Sequence, residues 1–241
     1  MSHTMIRIDR RFRGPASSGN GGYTAGLFAA RLPSTAVVQV TLRRPPPLDI
    51  DVAVRDAGPE RIELLNAGDV IADALTVPED SLGPPVQAVD LATARTAENA
   101  YAGAVSHPFP ECFVCGPART PGDGLRLTPG RLPGGRTACT WTPDESLTGA
   151  GSVVGNAYVW AAMDCPGGWT GDLQGRPMVL GRITASVDSP VHAGDRCVVV
   201  GQWLGTAGRK TWTATTVYAP DGRVHGRARH TWIHVDPANF G

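Results

Sequence analysis

The 241-residue sequence carries 22 Lys+Arg against 22 Asp+Glu, a formal charge of zero, and Lys210 is its single lysine. A neutral balance with no basic run lacks the electrostatic footprint of a nucleic-acid binder, and no apolar run approaches the ~20 residues that span a bilayer. Glycine and proline supply 30 and 21 residues, yet 41% of the chain is hydrophobic, so the expectation is a turn-rich globular protein with a packed core. Residues 1–13 are polar and basic without an apolar leader segment, and five cysteines at low density are not a disulfide framework. A cytoplasmic protein of one large or two small domains is expected.

In chain order, Ser17-Ser18-Gly19-Asn20-Gly21-Gly22 offers cap-type residues, and residues 23–32 predict a short apolar helix that Pro33 ends. Strands follow at 37–42 and, after the Pro45-Pro46-Pro47 break, at 48–55, where Leu48, Ile50, Val52 and Val54 alternate onto one face. Residues 62–65 and 70–77 read as two more strands around the turn Asn66-Ala67-Gly68-Asp69. A join over 78–110 contains an Ala-rich helix at 90–101 and then His107-Pro108-Phe109-Pro110. The second half repeats the grammar: a strand at 137–141, a helix at 156–164 ended by Pro166-Gly167-Gly168, and strands at 179–187, 197–204, 211–218 and 224–235. Pro220-Asp221-Gly222 makes the last hairpin turn. One helix per run of strands points to an α+β fold of antiparallel sheet, because parallel sheets need a crossover helix between successive strands. The division expected is residues 1–80, a joining segment 81–110, and 111–241.

Three places could carry chemistry. Cys112-Phe113-Val114-Cys115-Gly116 has zinc-knuckle spacing, but a closed structural site needs two further ligands. His107, Cys139, Cys165 and Cys197 could serve only if the fold gathers them, so the expectation is a buried turn with small apolar thiols and no metal. Asp164, near the predicted end of an otherwise apolar helix, would be desolvated and set against the helix dipole. Both effects raise its pKa and suit a general base. Asn20, Gly21 and Gly22 place free amides at a helix start, where an anion or oxyanion is stabilised. His230 and His234 share a face of the last strand and read as packed or surface residues. No Gly-x-Ser-x-Gly elbow is present.

The stretch from Cys112 to Leu127, CFVCGPARTPGDGLRL, resembles the CFxCG opening of hotdog-fold thioesterases of the PaaI-like type. Gly19-Asn20-Gly21-Gly22-Tyr23 resembles the glycine-helix opening of acyl-CoA thioesterases with two fused hotdog units. The resemblance implies two tandem hotdog units, each a curved antiparallel sheet round a central helix, packed as an internal pseudo-dimer. It also implies a thioester cleaved between the units, with Asp164, Gly21 and Gly22 catalytic and Asn20, Tyr23 and Asn156 binding substrate. Aligning the two Gly-Asn pairs puts Phe28, or Ala29 with a shift of one, opposite Asp164, so the resemblance implies one competent site and one degenerate one. The partner implied is an acyl-CoA or another acyl thioester, with Arg119, Arg126, Arg131 and Arg136 as candidates for a CoA patch. No cofactor, nucleic acid or membrane is called for, and homodimerisation stays open. Gly155-Asn156-Ala157 stands where relatives carry His-Gly-Gly, which keeps a non-catalytic acyl or acyl-CoA binding protein as the alternative. The Asp/His helix pair of hydratase relatives is missing, and a zinc-stabilised interaction domain is a third, weaker reading.

Overall fold

The computed structural model describes residues 4–33, 36–149 and 151–240. Its frame is one antiparallel sheet. The first half supplies β1 (Thr4–Arg7), α1 (Gly21–Ala29), β2 (Val37–Leu42), β3 (Asp51–Gly58), β4 (Arg61–Asn66) and β5 (Asp69–Val77). After α2 (Leu91–Ala97), the second half supplies β6 (Gly130–Leu132), β7 (Arg136–Trp141), α3 (Asn156–Gly168), β8 (Met178–Val187), β9 (Cys197–Ala207), β10 (Lys210–Tyr218) and β11 (Val224–His234). The order across the sheet is β1-β3-β4-β5-β2-β8-β11-β10-β9-β7-β6. On either side of the β2–β8 seam the same path recurs: the strand after the helix lies at the seam, and the next three strands fold back toward it. At the seam Val38 faces Ala185 and Val40 faces Ile183.

The seam is what brings α1 and α3 side by side. Both helices lie on the face of the sheet that carries Val40, Leu64, Cys139, Ile183 and Val199, all fully buried. The other face of the second half is covered by α2 through Ala94 and Ala97, against Ala138, Val200 and Ala214. Ala138 and Cys139 thus point to opposite layers, as the period of two in a strand requires.

Several expectations are corrected here. Leu48 to Ile50 are not strand: Asp49 sits at φ 61°, its carboxylate takes the Arg10 backbone N–H at 2.8 Å, and β3 begins only at Asp51. Ile50 is exposed and only Val52 of the four alternating residues is buried. The central helix of the join is shorter than 90–101. Asp90 caps it, accepting from the Thr93 N–H at 2.6 Å, and it tightens into a 3₁₀ turn at Glu98–Ala100.

The larger correction concerns α3, which does not stop after Asp164 but runs through Pro166 to Gly168. Pro166 has no N–H for the preceding turn and ordinarily breaks a helix. Packing overrides it. The Thr215 hydroxyl donates to the Met163 carbonyl at 2.8 Å and the Thr137 hydroxyl to the Pro166 carbonyl at 2.7 Å, so sheet side chains anchor the helix on either side of the proline. Close approach depends on Gly201, where a Cβ would lie 2.4 Å from the Pro166 oxygen.

Candidate functional site

The first residue of the site is Asn20, the N-cap of α1. Its side-chain oxygen accepts from the Tyr23 N–H at 2.9 Å, which satisfies one of the helix's unpaired first-turn donors. The cap leaves the Asn20 Nδ2 and the amides of Gly21 and Gly22 facing out of the helix end. Opposite them runs α3. The two helices meet without side chains between them, because Gly22 and Gly26 are one turn apart on the contact face. A Cβ on Gly22 would lie 2.6 Å from Asp164 Cβ, and one on Gly26 only 2.7 Å from Ala157 Cα.

That proximity brings Asp164 to the start of α1. Its Oδ2 accepts from Gly22 N–H at 3.0 Å and from Asn20 Nδ2 at 2.9 Å. Asp164 is only 2% exposed, and among the described residues its second oxygen, Oδ1, has no hydrogen-bond partner. Burial pushes its pKa up to about 7, the Gly22 amide opposes the rise, Cys112 adds to it, and the Asn20 amide opposes it. The dipole argument from sequence is thus corrected in its cause. Asp164 lies a full turn inside α3, and the helix end nearest its charge is the N-terminus of α1, which favours the ionised form. Desolvation, the largest cause, together with Cys112 outweighs that contribution.

Asp164 lines a cavity of about 240 Å³ that opens to the surface, together with Asn20 and Gly21. Apolar walls come from Leu42, Met178, Leu180 and Trp232, and Cys112 and Cys165 also border it. Two cations line the same cavity, Arg43 and Arg44. Arg43 pairs with buried Asp73 and Arg44 with exposed Asp69. The Gly21 N–H, first of the helix, has no hydrogen bond among the described residues.

The other residues singled out from sequence lie elsewhere. The ring of Tyr23 stacks on Phe12 at 4.0 Å between centroids and packs with Phe113 and Tyr158, away from the cavity lining. Asn156 is the exposed first residue of α3. It borders a separate hollow with Gly26, Ala29 and Trp160. Of the arginines proposed for a CoA patch, none lines the cavity. Arg119 is buried, donating to the Glu111 carbonyl at 2.7 Å and to Asp123 at 2.9 Å. Arg43 and Arg44 were not singled out, although an arginine pair directly before three prolines is the signal that could have found them. The three cysteines Cys112, Cys115 and Cys165 come together in the buried core, with every pair of sulfurs within 4.8 Å. Cys139 and Cys197 do not join them.

No family model and no curated protein matches this sequence. Solved structures do. The tesB protein of Mycobacterium avium subs paratuberculosis is similar with a TM-score of 0.63 at 12% identity, over 96% of this chain and 92% of that one. A conserved protein of unknown function from Alicyclobacillus acidocaldarius, described as having a hot dog fold, gives 0.62 at 11% identity over 97% and 93%. A candidate thioesterase from Novosphingobium aromaticivorans gives 0.61 at 13% identity over 96% and 95%. Likeness over nearly the whole of each chain, at identities this low, is likeness of fold. The long antiparallel sheet and its two buried helices are those of a hotdog-fold protein.

Proposed function

We propose that the chain hydrolyses acyl thioesters, acyl-CoA being the substrate class that suits the cavity best, at a single site where α1 meets α3. The observation that carries this reading is the placement of Asp164 on the wall of an apolar cavity beside the Gly21 amide, which has no hydrogen bond among the described residues. An acyl chain suits Leu42, Met178, Leu180 and Trp232, and Arg43 and Arg44 suit the phosphates of CoA. That two of the similar structures are named for tesB or thioesterase activity supports the reading.

In this mechanism the carboxylate of Asp164, held on Oδ2 by Asn20 and Gly22, takes a proton from water on Oδ1. The water oxygen attacks the thioester carbonyl carbon, and Gly21 N–H stabilises the oxyanion. Collapse breaks the carbon–sulfur bond, and the leaving thiolate takes the proton back from Asp164. The products are a carboxylic acid and a free thiol. Gly22, implied by the resemblance as a second oxyanion donor, serves Asp164 in this arrangement.

We also read the recurring strand path as two tandem hotdog units, with the seam at β2 and β8. Matching the helix caps, Asn20 with Gly155, sets Ala29 opposite Asp164. The hollow lined by Ala29 and Asn156 is then the degenerate second site. The five unpaired, buried cysteines suit a reducing compartment such as the cytoplasm.

A panel of acyl-CoAs in a thiol-release assay tests the function. Wild-type protein should release CoA, and Asp164→Asn should cut the rate about 10²–10⁴-fold, the usual contribution of a general base. Full activity in that variant would remove Asp164 from the mechanism. A second reading is favoured by the engagement of Gly22 with Asp164, which leaves one oxyanion donor: an acyl-thioester binding protein without turnover. Tight acyl-CoA binding with no released thiol would establish that reading instead.

A further inference from the structure

We propose that Cys112, Cys115 and Cys165 together bind one thiophilic metal ion, zinc in the first instance, in the wall between the cavity and the core. Cys112 and Cys115 sit on one tight turn, closed by the Gly116 N–H donating to the Cys112 carbonyl at 2.9 Å. No side chain fits at Gly116, where a Cβ would lie 2.4 Å from the Pro110 oxygen and 2.5 Å from the Cys112 nitrogen. The third sulfur comes from α3, and its delivery depends on the helix continuing past Asp164. The Cys112 and Cys165 sulfurs are 3.7 Å apart, and all three lie within 4.8 Å of one another. Sulfurs on one tetrahedral zinc, each about 2.3 Å from the metal, stand roughly 3.8 Å apart. One edge of the triangle already has that length, and the others need close by no more than about 1 Å.

The surroundings suit bound thiolates. Asn20 Nδ2 faces the Cys112 sulfur at 3.8 Å, and His107 Nε2 faces the Cys115 sulfur at 3.3 Å. The His107 Nδ1 accepts the Phe109 backbone N–H at 2.9 Å, which leaves the ring proton on Nε2, pointing at sulfur. His107 is therefore an N–H donor to a bound thiolate, the supporting role that partners outside the ligand set commonly play at metal centres. Three thiolates leave one coordination position for a water or an exogenous thiol. Soft sulfur ligands select zinc over magnesium or calcium. Binding releases the thiol protons and holds the turn to α3, so the ion stabilises the fold independently of any hydrolysis.

The test is metal content, which does not depend on enzymatic activity. Protein expressed in zinc-replete medium and purified under reductant should carry one zinc per chain by elemental analysis. Protein expressed in cobalt-supplemented minimal medium should show the intense near-ultraviolet sulfur-to-cobalt charge-transfer bands of a thiolate site. Cys112→Ser, Cys115→Ser and Cys165→Ser should each lower the metal content at least tenfold, while Cys139→Ser and Cys197→Ser keep it. Folded wild-type protein that holds neither zinc nor cobalt, with five thiols titrating after denaturation, would overturn the proposal. Retention of one equivalent by Cys165→Ser would overturn it too. The wild-type measurements stand even where a serine variant fails to fold.

Discussion

Substituting Gly26 by alanine tests the helix contact on which the whole site rests. In an isolated helix this change is stabilising by about 1 kcal/mol, because alanine loses less backbone entropy. Here the added Cβ would lie 2.7 Å from Ala157 Cα and 2.8 Å from Trp160 Cβ. Carbon atoms in contact sit about 3.8 Å apart, so the helices must part by roughly 1 Å. The nearest atom is backbone and cannot swing aside. Overpacking of this kind costs about 1–3 kcal/mol. Parting α1 from α3 also stretches the 2.9 and 3.0 Å bonds that hold Asp164, and hydrogen bonds to a charged group are worth about 1.5–3 kcal/mol each. If stretching forfeits the equivalent of one such bond, steric and polar losses less the propensity gain leave a net destabilisation of about 1.5–5 kcal/mol. Urea denaturation of wild type and variant measures this directly. Acyl-CoA hydrolysis should fall about 10²-fold in the fraction that stays folded, the usual cost of a 1 Å misplacement. A variant as stable and as active as wild type would mean that the two helices do not touch as described.

Further outcomes follow from neighbouring residues. Burial lowers the pKa of His230 to about 3, so below pH 6.5 the unfolded chain binds a proton that the folded chain refuses. Stability should be complete above pH 6.5 and fall by about 1.4 kcal/mol per pH unit toward pH 3. Urea midpoints for wild type and His230→Gln at pH 7, 6 and 5 should diverge accordingly, and parallel curves would contradict the assignment. Asn20→Ala removes the α1 cap and one donor to Asp164. It should cost about 1–2 kcal/mol in stability and, because that donor opposes the raised pKa, move the pH–rate profile upward. An unmoved profile would separate Asn20 from the acid. Arg44→Glu should raise KM for acyl-CoA roughly fivefold, about 1 kcal/mol, and leave N-acetylcysteamine thioesters unaffected. Equal effects on both substrates would place the CoA phosphates elsewhere.

Local signals in the sequence located most strands and both buried helices, since residues 37–42, 70–77 and 211–218 are β-branched runs bounded by turn residues. Two short edge strands, Thr4–Arg7 and Gly130–Leu132, escaped notice because neither has an apolar run of its own. Pro166 defeats the break rule because that rule is local, whereas the Thr137 and Thr215 hydroxyls that anchor this end of α3 come from distant strands. The site divides the same way. Asp164 and the Asn20-Gly21-Gly22 start stand out in the sequence, one as a carboxylate on an apolar helix and the other as spare amides, and the fold brings them together. Their mutual hydrogen bonds were not legible, because they depend on Gly22 and Gly26 sharing one face with spacing four. That spacing is present in the sequence and was the available signal.

In the proposed mechanism a single acid serves although two helices are present, and the helix contact supplies a physical reason. A carboxylate buried this deeply needs donors, and α1 supplies them from the one part of a helix that has amides to spare. Gly155 caps α3 without a side-chain bond, and its neighbour Asn156 is exposed. An acid at position 29 would therefore be as desolvated as Asp164 but without an Asn20 to hold it. Alanine at position 29 is the less costly residue where the start of the facing helix has no cap asparagine. Restoring only the acid, as Ala29→Asp, should then destabilise the protein without adding activity. An Ala29→Asp variant that gained hydrolysis in the Asp164→Asn background would overturn this reasoning and show that the hollow at Ala29 needs only a carboxylate.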